Sequence, residues 1–152
     1  MSRQASGLRL RDASGRGLDL AVLRYEFPDP PEDSWEWDAN WLVLHGEVDD
    51  GTRRWGFTHP CTETHEAQET VRWLRAAGDG RAPATLRFLE PLLAFRIGRQ
   101  AGGSVQLTVT FDAEAGRPDH DAPWSIGLVV PSAHLHAAAD AWAAHLDAFP
   151  ER

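Results

Sequence analysis

Trp41-Leu-Val-Leu-His-Gly-Glu-Val-Asp-Asp-Gly-Thr-Arg-Arg-Trp-Gly-Phe-Thr58 decides the fold. Residues 41–48 are the strongest strand signal in the chain, dense in branched and aromatic side chains. Asp49-Asp50-Gly51 follows, and an Asp-Gly pair turns a hairpin because glycine accepts the positive φ that a tight turn requires. Residues 53–58 then return with Trp55 and Phe57 on one side of an extended chain. This is an antiparallel hairpin, and the rest of the sequence extends it in both directions.

Upstream, residues 8–12 alternate apolar and charged, as an edge strand does. Gly15-Arg-Gly17 turns them into a long run, 18–27. There Leu18, Leu20 and Val22 share one parity, and Leu23, Tyr25 and Phe27 take the other, which predicts a bulge or bend near Val22. Downstream, residues 58–64 read as a crossing into a helix capped by Thr62 or Thr64. Glu63 and Glu66 would face its positive end. Ala67, Thr70, Val71 and Leu74 form a buried stripe at helical spacing, and Gly78-Asp-Gly80 stops it. Residues 85–90, 92–99 and 104–112 read as strands, the last two joined tightly at Gly102-Gly103. Val105, Leu107, Val109 and Phe111 alternate with Gln106, Thr108 and Thr110, the mark of a strand with one buried face. A polar loop over 114–123 precedes a last strand, 124–130. Ser132 then caps a second helix with Leu135, Ala139, Trp142, Leu146 and Phe149 in one stripe.

The expected fold is α+β: an antiparallel β-sheet of about six to eight strands, with two α-helices packed on one face. Leu44, Trp55, Val109 and Phe111 belong to its buried face, under the helices of Leu74 and Trp142. The 152 residues suit one domain over 1–152.

A net charge of −8 weighs against nonspecific nucleic-acid binding, which needs cations to displace counterions from phosphate, and against an anionic membrane surface. It permits a basic protein as partner. The single cysteine, Cys61, forms no internal disulfide. The first residues carry no apolar leader core and no run is long enough for a membrane helix, so a cytoplasmic protein is expected.

The acids concentrate in Glu26-Phe-Pro-Asp-Pro-Pro-Glu-Asp-Ser-Trp-Glu-Trp-Asp-Ala-Asn-Trp41, which holds six of them and no base. Prolines 28, 30 and 31 block helix. In an extended chain Trp35, Trp37, Ala39 and Trp41 lie on one side, with Glu36, Asp38 and Asn40 on the other. Two readings follow: a solvated acidic loop anchored by tryptophans, or an anionic surface that recognises a basic partner. Under the second, Glu32, Asp33, Trp35, Glu36 and Asp38 are the binding residues.

Catalytic signatures are missing. No serine or cysteine sits in a nucleophile elbow, and no glycine loop opens a helix to cradle phosphate. His59, Cys61 and His65 are close in sequence but lack the fourth ligand of a structural zinc site, so no metal and no cofactor is expected. His134 and His136 point apart on a helix, and His136 with Asp140 makes a surface pair. His45 is the histidine expected to be partly buried, as a core residue rather than a base.

Tyr25-Glu-Phe-Pro-Asp, Trp37-Asp-Ala-Asn-Trp-Leu42, Val71-Arg-Trp-Leu74, Phe88-Leu-Glu-Pro-Leu92 and the closing Phe149-Pro-Glu-Arg152 together resemble the WapI-type immunity family. They occur in order over nearly the whole chain. The resemblance implies a small cytoplasmic α+β protein without catalytic activity, which binds and blocks a polymorphic toxin domain of its own cell, often a nuclease. It supplies no catalytic residues. Two other readings stay open beside it: a small-ligand binder or enzyme with a pocket near His45, His59 and His65, and a homo-oligomeric module, such as a homodimer, using an exposed sheet edge.

Overall fold

The structure, a computed structural model, describes residues 7–27, 39–116, 118 and 123–152. Strands β1 (Leu8–Arg11), β2 (Gly17–Tyr25), β3 (Trp41–Asp49) and β4 (Arg54–Glu63) form one antiparallel meander, and helix α1 (Thr64–Gly78) follows. The plan then repeats. Strands β5 (Thr85–Arg87), β6 (Leu93–Ala101), β7 (Ser104–Phe111) and β8 (Trp124–Pro131) form a second meander, and α2 (Ser132–Leu146) follows. The fold is α+β, and its eight antiparallel strands divide between two four-stranded sheets where the sequence reading placed them in one. The duplicated order ββββα has no counterpart as a repeat in the sequence.

The division follows from the long α1 crossover, which begins a new meander instead of returning β5 to the edge of β4. The two halves close on each other through one core. Phe111 of β7 meets the rings of Trp55 and Phe57 of β4 at 6.0 and 6.1 Å, near edge-on for Trp55. The Trp55 indole N–H also donates to the Ala115 carbonyl at 2.9 Å. Each helix reaches the sheet of the other half. Trp73 of α1 packs on Phe95 of β6, and α2 lies along β1 and β2. Trp142 of α2 donates to the Ala67 carbonyl of α1 at 3.1 Å. Leu44, Trp55, Val109, Phe111, Leu74 and Trp142 are all in this core, as expected.

The bulge expected near Val22 lies between Val22 and Arg24. It turns the Val22 N–H away from the ladder, and His145 Nε2 of α2 accepts it at 2.8 Å. The Asp49-Asp50-Gly51 turn is present, with Gly51 at φ 90°. Asp49 accepts the Gly51 N–H and the Arg54 guanidinium, at 2.9 and 3.0 Å. These bonds, the backbone one foremost, hold its carboxyl below the usual value.

Three local expectations are corrected. Residues 58–64 are not a crossing: β4 runs to Glu63 and passes straight into α1. A bulge at Leu42/Val43 keeps pairing in step past Pro60, which an edge strand tolerates because its missing N–H leaves no ladder gap inside the sheet. Neither Thr62 nor Thr64 caps α1. Glu63 is its N-cap, and the Glu63 N–H donates to Glu66 Oε1 at 3.0 Å. Nor does Ser132 cap α2: Pro131 is the N-cap, and the Ser132 N–H donates to the Gly103 carbonyl at 2.8 Å. Among the described residues, no helix is long and apolar enough to cross a membrane.

Candidate functional site

The acidic stretch leaves the sheet at the end of β2 and rejoins it at the start of β3. Glu32, Asp33, Trp35, Glu36 and Asp38 all lie outside the described residues. Both flanks of the stretch are described, and they meet the C-terminus of the chain.

Arg152 fastens the two flanks together. Its guanidinium donates to the Phe27 carbonyl at 2.6 Å and to the Ala39 carbonyl at 2.6 and 2.9 Å. One planar fork therefore binds the backbone on either side of residues 28–38. The same guanidinium sits 3.8 Å from the centre of the Tyr25 ring, in cation–π contact. Asn40 adds a reciprocal pair: its Oδ1 accepts the Arg152 N–H at 2.9 Å, and its Nδ2 donates to the Arg152 carbonyl at 3.2 Å. The Tyr25 hydroxyl donates to the Pro150 carbonyl, and its ring meets Phe149 edge-on at 5.8 Å. Burial raises the Tyr25 hydroxyl above its ordinary value against the opposing pull of Arg152, so the phenol keeps the proton it donates. The Glu26 N–H to Trp41 carbonyl bond, 2.8 Å, closes the base.

These contacts make a collar under the acidic stretch. Its members come from three of the sequence motifs: Tyr25-Glu-Phe, Ala39-Asn-Trp41 and Phe149-Pro-Glu-Arg152. Asn40 departs from the expected alternation. Residues 39–40 form a 3₁₀ turn, and Asn40 turns inward and is buried, because its amide serves the backbone of Arg152. Sequence reasoning assigned Arg152 and Asn40 no role. The recurrence of their motifs was the signal, but no local pattern says that residues over a hundred positions apart touch.

Of the remaining two motifs, Phe88-Leu-Glu-Pro-Leu92 meets the start of α1 through Leu89, and Val71-Arg-Trp-Leu74 lies further along that helix. Glu66, buried, accepts the Glu63 N–H with one oxygen and the Leu89 N–H with the other, at 3.0 and 2.7 Å. Trp73 donates to the Pro83 carbonyl at 2.9 Å. Burial raises the Glu63 carboxyl, the Glu66 charge raises it further, and His65 at 3.2 Å opposes both. Burial and the neighbouring charges of Glu66 and Glu90 push the Cys61 thiol up to about 12, so it stays protonated at neutral pH and is a poor nucleophile.

The histidines do not converge. His45 and Thr58 are register partners on one face of the first sheet, while His59 opposite Leu44 takes the other face. His45 bonds Thr58 and Glu47 at 2.8 and 2.7 Å, His59 pairs with Glu114 at 2.9 Å, and His65 stays with Glu63. None of the three lines the cavity of about 740 Å³ beside β1, β8 and α2, or the one of about 570 Å³ on β5 and β6. Among the described residues, no three His, Cys, Asp or Glu side chains are grouped to hold a metal ion. His136 pairs with Asp79 at 3.1 Å and Asp140 with Arg75 at 3.2 Å, so each bridges to α1 or its end instead of to the other.

No curated protein and no solved structure matches the chain. The model of the WapI-like immunity protein family matches residues 9–150, which takes in both halves of the fold and most of the collar. On that match the chain belongs to the WapI-like family of immunity proteins.

Proposed function

We propose that this protein is a non-catalytic inhibitor that binds a cognate toxin domain and neutralises it, and that the acidic stretch makes first contact. Membership in a family of immunity proteins supports the class of function. The collar supports the location. A segment rich in acids is held at both flanks by one guanidinium, so less chain entropy is lost when a partner docks on it. A nuclease toxin is basic where it grips phosphate, and an inhibitor of net charge −8 complements that groove and accelerates encounter. Glu32, Asp33, Glu36 and Asp38 supply the charge, and Trp35 is the anchor, since aromatic and charged groups together make up most binding hot spots.

The test is co-expression with the cognate toxin domain. Growth should be restored, and calorimetry of the two purified proteins should give a stoichiometric complex. Continued growth arrest with a folded inhibitor, or no heat of binding, contradicts the proposal.

A further inference from the structure

The second sheet turns alternate residues toward the core and toward solvent. Leu86, Phe95, Val109 and Ile126 form one row across β5, β6, β7 and β8, and all four are buried. The rows on either side of it take the outer face: Arg87, Ala94, Thr110 and Ser125 in one, Thr85, Arg96, Thr108 and Gly127 in the other. A Cβ on Gly127 would meet nothing within 4 Å, so there is room above this face. The two rows hold two cations, four hydroxyls and no acid, in a chain with 23 acidic and 15 basic side chains.

Other arginines of the chain pair with acids: Arg9 and Arg11 share Asp19, Arg54 holds Asp49, and Arg75 holds Asp140. Among the described residues, neither the Arg87 nor the Arg96 guanidinium makes a hydrogen bond, ion pair or ring contact. In register, Arg87 stands opposite Ala94 and Arg96 opposite Thr85, so the two are diagonal neighbours about 7–8 Å apart. Both line the cavity of about 570 Å³ together with Thr85 and Thr110, and among the described residues no acidic side chain does. That volume falls within the roughly 300–1,000 Å³ of small-molecule sites. The Thr110 and Ser125 hydroxyls bond each other at 2.8 Å, so one of the two O–H groups is left to donate outward.

We propose that this cavity binds the phosphate monoester of a small molecule. A monoester carries a charge of about −1.5 to −2 at neutral pH and three strong acceptor oxygens. A carboxylate has two oxygens, and one guanidinium fork fills both. Two diagonal forks with hydroxyls beside them match an anion with more charge and more acceptors than that. Ala84, Pro91 and Ala94 give the cavity an apolar side for the organic group of the ester. The net charge of −8 disfavours a nucleic-acid polyanion, whose whole backbone must approach, and leaves a single phosphate group as the fit. The site shares no residue with the acidic stretch or its collar.

Titration of the full chain with phenyl phosphate, followed by calorimetry and by the Arg87 and Arg96 Nε–H resonances, tests this. Binding should saturate with about millimolar affinity or tighter, and inorganic phosphate should bind the same site more weakly. Sodium acetate at the same ionic strength should not saturate it. Arg87→Gln and Arg96→Gln should each weaken binding roughly tenfold or more with an unchanged thermal melt. Arg72→Gln, at an exposed position on α1, should leave it intact. Equal affinity for the two phosphates would overturn the ester and make free phosphate the ligand. No saturation, saturation by acetate as well, or wild-type affinity in both cavity variants overturns the site.

Discussion

Arg152 is the residue on which the candidate site depends, and its chemistry is particular to arginine. Its Nη2 reaches both the Phe27 and the Ala39 carbonyl while Nε holds Ala39 as well and the planar group lies over the Tyr25 ring; an ammonium has no second donor nitrogen and no flat face to replace these. Arg152→Ala should cost about 1–2 kcal/mol in a chemical melt, and Arg152→Lys should recover little of it. Hydrogen exchange at residues 27 and 39–41 should rise in both. Cys61 allows a second check. With a buried thiol raised to about 12, the native protein should resist alkylation at pH 8 and react only when unfolded. Glu63 tests the buried acids at the start of α1. Its carboxyl is raised above its ordinary 4.5, so the fold disfavours its ionised form. That penalty is absent below the unfolded value and is fully present once pH exceeds the folded one. Glu63→Gln should therefore raise the melting temperature at pH 7, and the gain should vanish below about pH 4.5. A gain that persists at low pH would mean that the substitution acts through packing instead of charge.

At the scale of elements, legibility tracked how local the determinant is. The Val22 bulge was visible as a change of parity within one run, and it sits between Val22 and Arg24. The Gly102-Gly103 turn was visible because two adjacent glycines suit positive φ, and both have it, 61° and 79°. The extent of β4 was not visible. Pro60 reads as a breaker in isolation, and only the extra residue Cys61, opposite the Leu42–Val43 step of β3, lets β4 stay paired past it. Nor could Asn40 be placed. Alternation predicted an outward side chain, and a contact 112 residues away turned it inward. The same argument explains why two sheets read as one, since strand patterns fix which face is buried but not which strands are neighbours. One packing detail makes the β3–β4 pairing testable. A Cβ on Gly46 would lie 2.3 Å from the Phe57 ring, so this glycine is required by the close approach of a ring across the ladder. Gly46→Ala should destabilise by about 1–3 kcal/mol through overpacking, measured as a shift in denaturation midpoint with unchanged slope. A neutral result would mean that Phe57 has room to move.

The whole molecule joins a duplicated meander-and-helix core to an acidic segment whose two flanks are fastened by the far end of the chain. The family was legible from motifs in order, and the collar gives three of those motifs a physical reason to occur together. The binding residues remain a matter of charge and sequence. Glu32, Asp33 and Glu36 are the acids to reverse, and a thermal melt of the variant separates a cost to the fold from a loss of binding. The direct test is stopped-flow association of the wild type and the Glu32→Arg, Asp33→Arg, Glu36→Arg triple variant with the cognate toxin domain, across a salt series. Steering acts through a field screened over about 8 Å at physiological salt. The variant should therefore associate several-fold or more slowly at low salt, and the difference should shrink as salt rises. Equal rates and equal salt dependence, in a variant whose thermal melt is unchanged, would contradict the account and move the toxin-binding surface away from the acidic stretch.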